Sequence, residues 1–151
     1  MERQSSNRPR DEGSSKAQDN PPSGPKILCI DDDWSLLRIL RVKLQVHGFV
    51  PLTASDGPTG LALAAAARPS LVVLDLMMPG LDGFEVCRQL RADPRTCDIP
   101  LIVLTGVGGA TAEQWALQAG ADQVLSKPFA PEQLLAALRQ ALAVADGASG
   151  A

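Results

Sequence analysis

Hydrophobic and polar positions follow two alternating patterns along the middle of the chain. Short, continuously apolar runs are typical of buried strands, and apolar residues three or four positions apart are typical of helices with one buried face. The apolar runs predict strands at 26–31, 49–54, 70–75, 99–105 and 123–126. The spaced pattern predicts helices at 33–46, 57–67, 83–92, 111–119 and 131–144. Five strands that each precede a helix predict an α/β fold, with a parallel sheet covered by helices on both faces.

Residues at the ends of the predicted elements support this assignment. Gly48 follows the first helix, where a glycine commonly adopts the left-handed conformation that ends a helix. Pro131 and Glu132 open the last helix, where a first-turn proline and an acidic residue are both favoured. Pro51 has no N–H to donate within a sheet, so we expect the second strand to lie at an edge.

The patterned part of the chain predicts a single domain. Residues 1–25 contain Ser, Asn, Gly, Pro and mixed charges without apolar periodicity, and such a stretch cannot bury enough surface to offset the entropy of ordering. We therefore expect a disordered tail at 1–25, one domain at 26–145 and a second disordered tail at 146–151. A chain of 151 residues has room for one ordinary core and is too short for two.

Composition and charge narrow the classes of function. The chain has 45% hydrophobic and 21% charged residues, as globular domains do, and its net charge of −3 provides no basic surface for nucleic acid or an anionic membrane. No apolar stretch approaches the ~20 residues that a membrane helix needs. The three cysteines are odd in number and show no paired spacing, which favours reduced thiols and a cytoplasmic protein.

Polar residues stand where the predicted strands end. They are Asp31, Asp32, Asp33, Asp75, Thr105 and Lys127. The carboxyl ends of parallel strands meet at one edge of a sheet, where open α/β folds bind ligands. Several carboxylates, one hydroxyl and one amine suit a hard divalent cation and a phosphoryl group. Asp33 also stands where a helix N-cap is expected.

Four stretches of the sequence resemble the receiver domains of two-component response regulators. They are ILCIDDD at 27–33, LVVLDLMMPGLDGFE at 71–85, PLIVLT at 100–105 and GADQVLSKPF at 120–129. Each stretch includes the end of a predicted strand, and the similarity extends over about 26–144. The resemblance implies a flavodoxin-like, doubly wound five-stranded sheet in the order 2-1-3-4-5 with five helices. That order agrees with an edge position for the second strand.

The same resemblance implies a phosphorylation site. Asp75 would accept a phosphoryl group from a sensor histidine kinase or a histidine phosphotransfer protein. Asp31, Asp32 and Asp75, together with the backbone carbonyl of Met77, would bind Mg²⁺. The ion prefers carboxylate oxygens together with waters and phosphate, and its charge would offset the repulsion that otherwise raises a carboxylate pKa. Asp75 would then stay ionised and act as the nucleophile.

By the same resemblance, Thr105 and Lys127 would contact the phosphoryl oxygens, and phosphorylation would switch a protein-interaction surface at about 111–144. A cis peptide bond between this lysine and the following proline is common in the family. Many receiver domains also have an aromatic residue three positions before the lysine, where this chain has Val124. A valine cannot move a ring between solvent and core, so we do not expect the usual switch between threonine and aromatic residue.

Two other functions compete with a phosphorylation switch. A receiver fold can act as a docking module independent of phosphorylation, but such a module has no need of the full acidic set, Thr105 and Lys127. A Mg²⁺-dependent phosphatase of the haloacid dehalogenase type usually has a second aspartate two positions after its nucleophile, where this chain has Met77. We therefore expect a switch and not an enzyme, either stand-alone or as a fragment of a larger regulator. The cognate kinase, the effector and homodimer formation stay open.

Overall fold

The computed structural model describes residues 23–78, 80, 82–106 and 110–150, except for the side chains of residues 110 and 146–150. Five strands and five helices alternate in this part of the chain. The strands are β1 (Lys26–Ile30), β2 (Val50–Ala54), β3 (Leu71–Asp75), β4 (Leu101–Thr105) and β5 (Gln123–Ser126). The helices are α1 (Trp34–Val46), α2 (Gly57–Ala67), α3 (Gly83–Ala92), α4 (Ala110–Gln118) and α5 (Pro131–Gly150).

All five strands are parallel and form one sheet in the order β2-β1-β3-β4-β5. The fold class and strand order are as predicted, and β2 is the edge strand that Pro51 indicated. β2 lies on one side of β1, and β3, β4 and β5 lie on the other, so the direction of the connections reverses at β1. In open α/β sheets, ligands bind in the crevice at such a reversal. Ile30 pairs with Leu74 in the β1–β3 ladder, so Asp31 and Asp75, which follow them, come side by side.

Two apolar clusters lie on the two faces of the sheet. Successive strand residues point to opposite faces, so Leu28 belongs to one cluster and Ile27 to the other. α1 and α5 cover the Ile27 face, with Leu44 and Leu138 among their buried residues, and α2, α3 and α4 cover the other face. Because both faces are covered, every residue of β3 and β4 is buried. This explains why both strands are continuously apolar up to their last residue.

Helix ends follow the predicted capping pattern at α1. Asp33 caps the helix by accepting the backbone N–H groups of Ser35 and Leu36 at 3.0 and 3.2 Å. Gly48 has a φ of +88°, the left-handed conformation expected of a glycine that ends a helix. All element bounds except the end of α5 lie within two residues of the predicted ones.

The carboxyl end of the last helix departs from the prediction. α5 extends to Gly150 instead of ending at residue 144, so it includes most of the stretch predicted as a disordered tail at 146–151. The added residues, 145–150, are mostly small and polar, so they continue the helix without a stripe of large apolar residues. Of the predicted tail at 1–25, residues 1–22 lie outside the described residues, and Pro25 accepts the Val50 N–H at 2.9 Å. The domain bounds 26–145 stay a prediction.

None of the helices in the described ranges has the length and apolar character needed to cross a membrane.

Arg91, near the end of α3, forms hydrogen bonds with two loops at the amino edge of the sheet. Its guanidinium donates to the carbonyls of Cys97 and Ile99 at 2.9 and 2.6 Å. It donates to the carbonyl of Gly120 through two nitrogens, at 3.0 and 2.7 Å, and pairs with Asp122 at 3.1 Å. A planar group with five N–H donors can serve several carbonyls at once. Arg91 therefore fixes the connection from α4 to β5 against the connection from α3 to β4.

Replacing Arg91 with Met should lower the free energy of unfolding by about 2–4 kcal/mol, because partly buried carbonyls lose their charge-assisted donors. Urea denaturation would measure the change. Arg88→Met is the matched control on the same helix, since Arg88 pairs across the surface with Glu85. Exposed pairs of this kind contribute little, so the control should unfold close to the wild type. Equal losses in the two variants would contradict the role given to Arg91.

The cysteines differ in their exposure, which predicts a reactivity pattern. Cys29 and Cys87 are buried and Cys97 is partly exposed, and none is in a disulfide. Burial raises the pKa of Cys29 to about 12 and that of Cys87 to about 11, so neither forms a thiolate at neutral pH. We expect DTNB to modify Cys97 alone in the folded protein and all three thiols in denaturant. Rapid modification of a folded Cys97→Ser variant would show that this assignment is wrong.

Candidate functional site

Asp31, Asp32 and Asp75 come together at the carboxyl edge of the sheet. Each offers a carboxylate oxygen, and the three oxygens lie within 4.8 Å of one another. Asp31 is 1% exposed and Asp75 is 3% exposed, whereas Asp32 is open to solvent. The acidic cluster predicted from the sequence is therefore present, with two carboxylates withdrawn from water and one accessible to it.

Short-range hydrogen bonds orient the two buried carboxylates. The Asp31 N–H donates to the carbonyl of Ala54 at 3.0 Å, and its Oδ1 accepts the Asp33 N–H at 2.9 Å. In the same way, Oδ1 of Asp75 accepts the N–H of Met77 at 3.1 Å. Each carboxylate is thus held through one oxygen by the loop that follows its strand. The other oxygen of each is directed towards a lysine.

Lys127 places an ammonium group between the two buried carboxylates. Its Nζ lies 2.8 Å from Oδ2 of Asp31 and 3.5 Å from Oδ2 of Asp75. The Lys127 N–H donates to the carbonyl of Thr105 at 2.8 Å, which aligns the residue after β5 with the end of β4. The peptide bond from Lys127 to Pro128 is cis, as the resemblance implied.

Burial and charge act in opposite directions on the pKa values of this pair. Burial raises the pKa of Asp31 and the charge of Asp75 adds to this rise, although hydrogen bonds from Lys127 and Asp33 lower it. Burial lowers the pKa of Lys127, but its hydrogen bond to Asp31 and the charges of Asp31 and Asp75 raise it above the ordinary value overall. The ammonium therefore stays charged at neutral pH and offsets part of the negative charge of the cluster.

The donor set fits a hard divalent cation. All three side chains offer carboxylate oxygens, which Mg²⁺ prefers over nitrogen or sulfur, and the ion usually completes its shell with waters and phosphate. Within the described ranges, no other group of three His, Cys, Asp or Glu side chains comes this close together. With one ammonium against three carboxylates, the site keeps an excess of negative charge that attracts a cation.

Thr105 and Met77 lie beside the acidic cluster. Thr105 is buried as the last residue of β4, which pairs with β3 on one side and β5 on the other. Met77 lies in the loop after β3. Its N–H donates to Oδ1 of Asp75, and its side chain is 61% exposed. The roles of the Thr105 hydroxyl and the Met77 carbonyl stay predictions.

Two residues that position the site were not identified as such from the sequence. Ala54 at the end of β2 fixes Asp31 through its backbone carbonyl, and any residue there would offer the same group, so no sequence signal marks it. Gly83 was predicted only as the first residue of a helix. In the structure it lies directly against the end of β3, and the one signal that could have indicated this close contact is its lack of a side chain.

Known proteins with similar sequences define the family. The family model of the response regulator receiver domain matches residues 27–139, and the chain belongs to this family. A curated relative is the DNA-binding dual master transcriptional regulator RpaA of Synechocystis, which is 43% identical over 118 residues, covering 78% of this chain and 49% of RpaA. Response regulator PleD of Caulobacter vibrioides is 42% identical over 114 residues, covering 76% of this chain and 25% of PleD.

Solved structures agree with this assignment. The chemotaxis protein CheY4 of Vibrio cholerae matches with a TM-score of 0.75 and 33% identity, covering 79% of this chain and 99% of that protein. The chain spans about half the length of RpaA, so the similarity concerns the receiver part of that relative. Fold, family and the acidic cluster therefore agree on a receiver domain of two-component signalling.

Lys127→Met should destabilise the metal-free protein by about 1–3 kcal/mol, because Asp31 and Asp75 would lose their buried counter-charge while the partial exposure of the lysine limits the effect. Urea denaturation in EDTA at neutral pH would measure it. Asp32→Asn is the control, because it removes an exposed carboxylate and relieves repulsion, so its stability should stay the same or rise. A loss as large in Asp32→Asn would contradict the charge balance described here.

Proposed function

We propose that this receiver domain is a phosphorylation-dependent switch in which Asp75 accepts a phosphoryl group from a sensor histidine kinase or a histidine phosphotransfer protein. The observation that carries the proposal is the arrangement around Asp75. Two further carboxylates lie within 4.8 Å of its own, and the ammonium of Lys127 lies 3.5 Å from its Oδ2. Membership of the receiver family supports the same role.

The position of Asp75 suits an attack on phosphorus. One carboxylate oxygen would form the new O–P bond in line as the P–N bond of a phosphohistidine breaks. The electron pair of the broken bond stays on the imidazole nitrogen of the donor, and the product is an acyl phosphate on Asp75. The hydrogen bond from Met77 orients the carboxylate before the reaction. No turnover on small substrates is part of this proposal.

Charge stabilisation comes from the residues around the acceptor. Asp31, Asp32 and Asp75, with the Met77 carbonyl, are the proposed Mg²⁺ ligands. The bound ion would neutralise negative charge on the acids and on the phosphoryl oxygens. Lys127 already lies beside two of these carboxylates, so its positive charge is in place before transfer.

The helix that begins beside the acidic cluster has the character of a protein-binding surface. α1 exposes four large apolar side chains: Trp34, Ile39, Val42 and Val46. Exposed apolar side chains gathered on one helix are typical of interaction sites. We assign this surface to the phosphodonor, because a donor histidine has to reach Asp75 at the adjacent strand end.

The downstream partner is proposed to bind the surface at about 111–144. Large apolar side chains are exposed there as well, at Trp115, Leu117 and Val144. A protein contact on this surface would transmit the phosphorylation state, whether the receiver works alone or within a larger regulator. The DNA-binding activity named for RpaA belongs to that protein, and we propose no nucleic-acid contact through this domain.

Incubation with acetyl phosphate should add one phosphoryl group to the wild type, and only when Mg²⁺ is present. Asp75→Asn should show no gain, because it lacks the nucleophilic carboxylate. Intact-mass spectrometry would measure the product. Asp33→Asn is a matched control, since this neighbouring acid caps α1 and asparagine caps a helix equally well.

The control variant should be phosphorylated like the wild type. Absence of a phosphoryl gain in the wild type, with Mg²⁺ binding shown separately, would refute the switch. That outcome would favour a docking module that works independently of phosphorylation.

A further inference from the structure

We infer that Gly83 is a positioning residue for the phosphoacceptor, an inference that rests on the function proposed for Asp75. Gly83 is the first residue of α3, and its N–H donates to the carbonyl of Leu76 at 3.3 Å. Leu76 directly follows Asp75 in the chain. The start of α3 is therefore in contact with the strand end that presents the acceptor.

A residue with a β-carbon does not fit at this contact. A Cβ on Gly83 would lie 2.5 Å from Cα of Leu76, 2.9 Å from its Cδ2 and 3.0 Å from the carbonyl oxygen of Asp75. Carbon atoms in favourable contact lie about 3.5–4.0 Å apart. Two of the three atoms belong to the backbone and cannot turn aside as the end of a side chain can. An added methyl group must therefore push α3 and the end of β3 apart.

The requirement for glycine at this position concerns space and not backbone conformation. The glycines with positive φ among the described residues are Gly48, Gly80 and Gly120, and Gly83 is not one of them. Asp82 caps α3 by accepting the Glu85 N–H at 2.9 Å. Alanine at position 83 suits a helix better than glycine does. Gly83→Ala should therefore leave α3 helical and disturb the contact with the acceptor strand.

The segment that would be displaced contains groups of the site. The Leu76 N–H donates to the carbonyl of Leu104 at 3.0 Å, and the Met77 N–H donates to Oδ1 of Asp75 at 3.1 Å. A shift of Leu76 therefore moves Met77. That movement changes the orientation of the acceptor carboxylate and the position of the carbonyl proposed as a Mg²⁺ ligand. Mg²⁺ demands near-ideal octahedral geometry, so its affinity should respond.

Gly60 in α2 provides a matched control. The nearest atoms to a Cβ built there all belong to the side chain of Ile30, with Cγ1 at 2.8 Å and Cγ2 at 3.1 Å. Gly60→Ala therefore makes the same chemical change at an equally close helix–strand contact. It presses on an apolar side chain and not on the backbone of Asp75 or Leu76. Both variants should lose packing stability, and only Gly83→Ala should affect the site.

The test compares Mg²⁺ binding by titration calorimetry at a temperature at which the variants are folded. We expect the Mg²⁺ dissociation constant of Gly83→Ala to rise about tenfold. This is the low end of the loss in metal affinity that follows mutation of residues that support the metal ligands. Gly60→Ala should keep the wild-type value. A second readout is independent of the metal: the amide resonances of Leu76 and Met77 should shift in metal-free Gly83→Ala and stay in place in Gly60→Ala.

Wild-type affinity and unmoved Leu76 and Met77 resonances in Gly83→Ala would overturn the inference and leave the proposed function intact. An equal loss of affinity in Gly60→Ala would also overturn it, because the effect would then be general. A wild type that neither binds Mg²⁺ nor accepts a phosphoryl group would instead refute the proposed function. In that case the metal-free resonances would still test the contact.

A second pair of variants tests the same inference if Gly83→Ala does not fold. Asp82→Ala removes the cap that fixes the start of α3, whereas Asp82→Asn removes the same charge and keeps the cap. Mg²⁺ affinity should fall in Asp82→Ala relative to Asp82→Asn. Equal affinities in this pair would contradict a role for the start of α3 in positioning the acceptor.

Discussion

The ion pairs of Lys127 with Asp31 and Asp75 are the interaction on which the site depends. Two nearly buried carboxylates at neighbouring strand ends repel each other, and burial makes their charged forms more costly. An ammonium at 2.8 and 3.5 Å offsets this cost while leaving Asp32 open to solvent. The same contact joins the ends of β1, β3 and β5, which are distant in the chain. One side chain therefore both offsets the charge of the cluster and links three strand ends.

The two edges of the sheet are stabilised in different ways. At the amino edge, Arg91 donates to three main-chain carbonyls and pairs with Asp122, so its positive charge has partners within the fold. At the carboxyl edge, three carboxylates face one ammonium, so negative charge exceeds positive charge.

Local sequence pattern accounts for most of the fold. Continuous apolar runs marked β3 and β4 because helices cover both of their faces, and Pro51 marked the edge strand because it lacks an N–H. The predicted end of α5 was wrong, because that prediction followed the pattern of large apolar residues. The pattern stops near Leu142, but the helix continues to Gly150. Such a continuation leaves no periodic signal.

By itself, the sequence determined the elements, their alternation and the acidic residues at the strand ends, because each depends on neighbours in the chain. The tertiary structure alone decided which oxygen of Asp31 and Asp75 contacts Lys127, how the carbonyl of Ala54 holds Asp31, and how closely Gly83 approaches Leu76. These contacts join residues on different strands and helices. Their distances depend on how whole helices pack against the sheet, and no local pattern encodes that packing.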